Sequence, residues 1–239
     1  MKVPRHLLIK DWNQEKISHL KVMIAGLGAI GSQVAVTLAR IGVGEIIAVD
    51  PDTLEEHNIA NQIYTRKHLG MSKVDALGEI VEDIGYSSYK GIKATAQEII
   101  HSKFDVDVYL GCVDNAGTRF FLNFVAICSG KPYIDAGVEG YRGGVRTVLP
   151  GKTPCLLCWP DMIKSDGIRA SCSSKPIPFA YFTATYAASL QVMQLVNLAF
   201  DKPFHEFIFF DLQRGITSYV TMKRNERCEL CGGIKWKKD

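Results

Sequence analysis

The sequence predicts an α/β fold, a mostly parallel sheet with helices on both faces that is closed by antiparallel strands. Short apolar runs alternate with helical patterns through the first half of the chain, the signature of βαβ units. A glycine-rich turn, Gly26-Leu27-Gly28-Ala29-Ile30-Gly31, stands where the first run meets the first helical pattern. The second half changes character, with Gly-rich strands and two further apolar runs flanking one long uncharged segment.

In chain order, Lys21–Ala25 reads as the first strand, and Ser32–Ile41 repeats apolar residues at helical spacing. Glu45–Asp50 is a second strand ended by Pro51, which has no N–H to continue a ladder. Lys73–Ile84 is helical, Val106–Gly111 a strand and Arg119–Cys128 a helix. Beyond these, Val138–Leu149 holds Gly-rich strands, and Phe207–Asp211 with Ile216–Met222 forms a closing antiparallel pair. No stretch rich in Pro, Gly or Ser divides the chain and no internal repeat is present, so one domain over residues 1–239 is expected.

Composition excludes several classes of function. The chain is 47% hydrophobic and 22% charged, ordinary for a globular protein, and its net charge is only +3. The one dense basic run is Lys235-Trp236-Lys237-Lys238, read as a solvated tail, so no nucleic-acid partner is expected. Pro176–Phe200 carries no charge over 25 residues, long enough to span a bilayer. But Gln191, Gln194 and Asn197 recur at helical spacing within it. Such groups are costly in lipid, so a helix in a core or a subunit interface is expected, with no membrane partner. The N-terminus lacks an apolar run for a signal peptide and the cysteine count is odd, at seven. Both point to a cytoplasmic protein without a disulfide framework.

The glycine turn carries chemistry when a strand precedes it, a helix follows it and an acid ends the next strand. Here Asp50 supplies the acid. Glycines allow a tight turn and close backbone approach, so a phosphate can rest at the helix N-terminus while the acid binds a ribose. This is a Rossmann-like arrangement, although glycines kept only for packing give the same pattern. By itself the motif does not choose among NAD, FAD and ATP.

The residues that follow do choose. They read Asp50-Pro51-Asp52-Thr53-Leu54-Glu55-Glu56-His57-Asn58-Ile59-Ala60-Asn61-Gln62, then Gly70-Met71-Ser72-Lys73, then Asp114-Asn115 with Thr118-Arg119 behind. In this order and spacing, from about Arg5 to Cys231, the chain resembles the ThiF/MoeB family of ubiquitin-activating-enzyme-like adenylyltransferases. The resemblance implies that Gly26, Gly28, Gly31, Asp50, Asp52, Asn58, Gln62, Lys73, Asp114 and Asn115 bind ATP. Asp50 would take the ribose, Asn58, Gln62 and Lys73 the phosphates, and Asp114 the Mg²⁺. Arg5 would reach into the partner's site of a homodimer. Each has a structural alternative: Asn58 as a turn cap, Lys73 as a solvated helix residue, Asp114 as an N-cap. Residues 21–135 would then be the nucleotide-binding half, and 136–239 the half for carrier binding, zinc and dimerisation.

The implied reaction is adenylation of the C-terminal carboxylate of a small ubiquitin-like carrier ending in Gly-Gly. A carboxylate is already ionised at neutral pH, so attack on phosphorus needs no general base. It needs positioning and charge neutralisation as pyrophosphate leaves, which cations and Mg²⁺ supply. Arg5, Lys73 and Asp114 would therefore carry catalysis.

Two C-x-x-C pairs, Cys155/Cys158 and Cys228/Cys231, have the spacing of a tetrahedral Zn²⁺ site, with redox or unpaired thiols as the alternative. The 69 residues between Cys158 and Cys228 are too many for a compact ribbon. The family resemblance implies one structural zinc shared by both pairs, tethering the C-terminal tail. Cys172, flanked by serines, is either an acceptor for the activated carrier or an incidental loop thiol. Asn61 departs from the family, which has arginine before glutamine, and Arg66 or Lys67 are candidates to restore that charge. The segment Ser174–Pro178 also departs from the family's Gly-rich pattern. Two other readings stay open, a nucleotide-binding scaffold that has lost catalysis and a relative activating a carboxylate on modified tRNA.

Overall fold

The computed structural model describes residues 4–99, 104–159 and 177–232. Its centre is one eight-stranded sheet of order β3-β2-β1-β4-β5-β6-β7-β8. Strands β1 (Lys21–Ala25), β2 (Glu45–Val49), β3 (Ser88–Ile92), β4 (Val108–Gly111) and β5 (Tyr133–Glu139) run parallel. β6 (Arg142–Val148), β7 (Phe207–Asp211) and β8 (Ile216–Val220) continue antiparallel from β5. Helices α1 (Gln14–His19), α2 (Gly31–Ile41), α3 (Glu56–Ile59), α4 (Lys73–Ile84), α5 (Ala116–Ser129) and α6 (Tyr181–Ala199) complete the described architecture.

The runs of β1, β2 and β4 are apolar at nearly every position because both faces are covered there. In β1, Val22 and Ile24 join a core with Val34, Leu38, Leu77 and Ala187 from α2, α4 and α6. Met23 and Ala25 face the opposite side, with Leu122 and Ala126 of α5 and the paired cysteines. Apolar burial of this extent is the main force holding such layers together.

The uncharged segment becomes α6, and two of its three stripe residues, Gln191 and Gln194, lie inside the core while Asn197 is half-buried. Gln191 and Gln194 are fully buried. The Gln191 amide donates to the carbonyls of Gly111 (3.2 Å) and Ile134 (2.7 Å), and that of Gln194 to Thr147 Oγ1 (2.9 Å). These bonds satisfy amides that would be expensive to bury alone. No helix among the described residues is long and apolar enough to cross a membrane.

Three elements, β3, α1 and the four-residue α3, have no counterpart in the apolar pattern. β3 is a half-exposed edge strand, selected by pairing with β2 rather than by its own residues. α1 is one short turn capped by Asn13, which accepts the Lys16 N–H. Boundaries also move: α5 starts at Ala116, three residues before the periodic run, because Asn115 caps it. The Gly-rich stretch resolves into β5, which begins at Tyr133, and β6.

Strand order reverses between β1 and β4, since β2 and β3 extend to one side of β1 and β4 to the other. In an open parallel sheet the crevice at such a reversal, beyond the carboxyl ends of the strands, is where ligands bind. The ends of β1, β2 and β4 lead directly to Gly26, Asp50 and Asp114.

Candidate functional site

The glycine loop is built by direct contact of backbones. Gly26 leaves β1 at φ +88°, and a Cβ there would lie 2.6 Å from the Cys112 carbonyl oxygen. A Cβ on Gly31, the first residue of α2, would lie 1.8 Å from the Gly26 oxygen. Gly28 differs: its nearest neighbour is Gln62 Nε2, at 4.0 Å. The loop therefore presses helix to strand at its two ends and opens a concavity at its middle, against the positive end of α2. Ser32 Oγ and Gln62 Oε1 are buried there without a hydrogen-bond partner among the described residues.

Asp50 is the hinge of this loop. Its carboxylate accepts the Leu27 N–H (2.6 Å) and the Asp52 N–H (2.8 Å). Burial pushes its pKa up, opposed by Lys73 and those two N–H groups. Lys73 opens α4 behind the Ser72 N-cap and is only 6% exposed. Its Nζ lies 2.6 Å from Asp52 and 3.8 Å from Asp50, so it is a buried cation and not a solvated one. Tyr64, which sequence reasoning missed, joins the two segments by donating to the Leu27 carbonyl (3.1 Å). Burial raises its pKa, keeping the phenol a donor.

Asn58 is the third residue of a capping box on α3, its Oδ1 accepting the N–H of the N-cap Glu55 at 2.9 Å. Asn115 caps α5, accepting the Thr118 N–H at 2.8 Å. The cap is Asn115 and not Asp114, which corrects the alternative role considered for the aspartate. Asp114 is an exposed carboxylate without a hydrogen bond or ion pair among the described residues. Of the candidates to replace the charge missing at Asn61, Arg66 pairs with Glu56 at 2.8 Å and Lys67 lies 3.9 Å from Glu79.

The structure thus brings Gly26, Gly28, Gly31, Asp50, Asp52, Gln62 and Lys73 together, with the segment before Asp114 pressed against Gly26. It does not bring Arg5 to them. Arg5 is exposed in a short 3-10 turn, whose next residue, His6, packs edge-to-face with Trp12, which meets Phe200 just past α6. Cys172 lies outside the described residues.

The four paired cysteines converge on the other face of the sheet. Sγ separations are 3.9 Å for Cys155–Cys158, 3.6 Å for Cys155–Cys228 and 3.5 Å for Cys158–Cys231. All four ligand atoms lie within 4.8 Å of one another, and all four residues are buried. Four thiolates about 2.3 Å from a tetrahedral Zn²⁺ would be ~3.8 Å apart, so the set fits that ion. Burial raises the Cys155 and Cys231 thiols, the latter to about 11. At Cys228 burial also works upward, but the N–H groups of Cys231 and Leu230, together with hydrogen bonds from the Cys155 and Cys231 thiols, bring the thiol down to about 7. The Leu156 N–H donates to Asn123 Oδ1 at 3.1 Å, docking this node on α5.

Known proteins resemble this chain in sequence and fold. Residues 4–230 match the ThiF family. The chain is 32% identical over 173 residues to ubiquitin-like modifier-activating enzyme 5 of Dictyostelium discoideum, a match covering 65% of the chain but 45% of that protein. It thus spans about half the length of the relatives of that name. It is 26% identical to the sulfur carrier protein ThiS adenylyltransferase of Escherichia coli, covering 98% of the chain and 95% of that protein. A crystal structure of E. coli MccB with ATP superposes with a TM-score of 0.80 at 25% identity, over 92% of this chain and 68% of the other. With its fold, its glycine loop and its matched span in agreement, the chain belongs to the ThiF family.

Proposed function

We propose that the protein is an adenylyltransferase that activates the C-terminal glycine carboxylate of a ubiquitin-like sulfur carrier with ATP. The single observation that carries this reading is the crevice at the strand reversal. The glycine loop and the Asp50–Lys73 pair border it, and the segment leading to the exposed Asp114 packs against Gly26. The ThiS adenylyltransferase named above supports the substrate class, and the MccB structure determined with ATP supports the nucleotide.

In this reading Asp50 accepts hydrogen bonds from the ribose, and the loop N–H groups and Lys73 hold the phosphates. Lys73 would exchange Asp52 for phosphate oxygens, its flexible four-carbon stem supplying the reach. Mg²⁺ held by Asp114 would neutralise charge developing on the leaving pyrophosphate. A carboxylate oxygen of the carrier attacks the α-phosphorus, the bond to the β-phosphate bridging oxygen breaks, and an acyl adenylate forms. Positioning and electrostatic stabilisation suffice for such a step. The four cysteines would hold a structural Zn²⁺, and Arg5 would complete the site of a second copy. Residues 136–239 would bind the carrier.

The test is ATP–pyrophosphate exchange with small carrier proteins ending in Gly-Gly. Exchange that depends on the carrier and is lost when its terminal glycine is removed supports the reading. ATP binding without exchange for any carrier would favour the scaffold reading, which Asn61 at the family's arginine position motivates.

A further inference from the structure

α5 carries a buried charge on its first turn that the proposed chemistry does not use directly. Arg119 reaches back past the helix start: Nη2 donates to the Val113 carbonyl at 2.8 Å and Nη1 to Asp135 Oδ2 at 2.6 Å. The side chain is 14% exposed and that of Asp135 only 1%. The other Asp135 oxygen accepts the Tyr133 hydroxyl at 3.0 Å. Burial holds that phenol far above its usual range, so it remains a donor. The backbone is cut to fit: a Cβ on Gly137 would lie 3.0 Å from Arg119 Nη1, and one on Gly111 2.2 Å from the Tyr133 oxygen.

The strand leading to Asp114 is tied residue by residue. The Gly111 carbonyl receives Gln191. The Cys112 N–H donates to Ala25 at 2.9 Å, and its thiol meets Gln191 Oε1 at 3.3 Å. The Val113 carbonyl receives Arg119. Asp114, next in line, is exposed and has no hydrogen bond or ion pair among the described residues.

Stability alone is a poor reason for a buried arginine–aspartate pair, because well-packed apolar residues of similar volume generally serve as well or better. What the pair provides is geometry. A planar guanidinium fixes two acceptors at a set angle, here the Asp135 carboxylate on β5 and the carbonyl preceding Asp114. We propose that Arg119, braced by Asp135 and Tyr133, is a positioning residue that sets the Asp114 carboxylate over the nucleotide crevice through the Val113 carbonyl. The part of this inference that concerns nucleotide chemistry rests on the adenylation reading; the part that concerns the order of the 111–115 segment does not.

The experiment compares wild type with Arg119→Met/Asp135→Leu, which removes both charges and keeps volume. Hydrogen–deuterium exchange over residues 111–118 is read beside the Mg²⁺ dependence of pyrophosphate exchange. Amide exchange in that segment should rise on the order of tenfold or more, with the rest of the sheet still protected. The Mg²⁺ needed for half-maximal activity should increase, and kcat should fall on the order of 10–100-fold, more than KM for ATP changes. Wild-type protection of the segment in the double variant would overturn the proposal. If that variant does not fold, Arg119→Lys decides, since it keeps the charge and loses the fork. A loosened segment supports the proposal, and an unchanged one refutes it. Wild-type protein without pyrophosphate exchange would overturn the adenylation reading, while amide protection would still decide the role of Arg119.

Discussion

Alanine at each glycine of the nucleotide loop separates the residues that build the site from the one that leaves room for a ligand. Gly26→Ala forces an L side chain into φ +88° and drives a Cβ to 2.6 Å from a backbone oxygen that cannot move alone. The left-handed conformation costs about 1–2 kcal/mol and the overpacking about 1–3 kcal/mol, together about 2–5 kcal/mol. For a chain of this size that lowers Tm by roughly 5–20 °C. Gly31→Ala, whose Cβ would lie 1.8 Å from the Gly26 oxygen, should cost at least as much. Gly28→Ala meets nothing nearer than 4.0 Å and needs no left-handed backbone. Restricting the unfolded chain should then leave stability unchanged or raise it by about 0.4–1 kcal/mol. The new methyl would occupy the concavity where phosphate approaches, so ATP affinity should fall on the order of tenfold or more, about 1.4 kcal/mol. Thermal unfolding without ligand and calorimetric titration with Mg·ATP measure the two effects separately. A Gly28→Ala protein that melts as low as Gly31→Ala, or binds ATP like wild type, would refute this division of labour.

The remaining predictions concern the acid, the thiols and the metal. Asp114→Ala should keep its fold, because the side chain has no described partner to lose. It should also lose pyrophosphate exchange on the order of a thousandfold; near-normal exchange would exclude a metal-holding role. Purified protein should contain about one zinc per chain by elemental analysis, and Cys228→Ser should lower zinc content and Tm together. Full occupancy in that variant would show that the two pairs do not share an ion. Cys172→Ser should retain exchange within a few-fold, because adenylation involves no thiol. Non-reducing electrophoresis of wild type with carrier and ATP should reveal a thiol-linked complex, lost in the variant, only if Cys172 accepts the activated carrier.

The sequence by itself determined the parts whose signal is local. Apolar runs bounded by glycine and proline located β1 and β2, and the periodicity of Lys73–Ile84 matched α4 end to end. Spacing alone also marked the glycine loop and both cysteine pairs, because a tight turn or a metal knuckle is written in a few consecutive residues. What required the tertiary structure was each choice that depends on neighbours distant in the chain. Whether Lys73 is solvated or buried turns on Asp50 and Asp52, which come to it from another strand end. Which residue caps α5 turned on side-chain geometry between adjacent Asp114 and Asn115, since both types cap equally well. β3 is half exposed and carries no apolar pattern, so only the unpaired edge of β2 specifies it. The meeting of Cys155/Cys158 with Cys228/Cys231 depends on how β6, α6 and the β7–β8 pair fold the tail back onto α5. The pairing of Arg119 with Asp135 likewise needed β5 laid beside β4. Local patterns fix what each segment can be, but a buried charge or thiol acquires its role only from the partners that packing delivers to it.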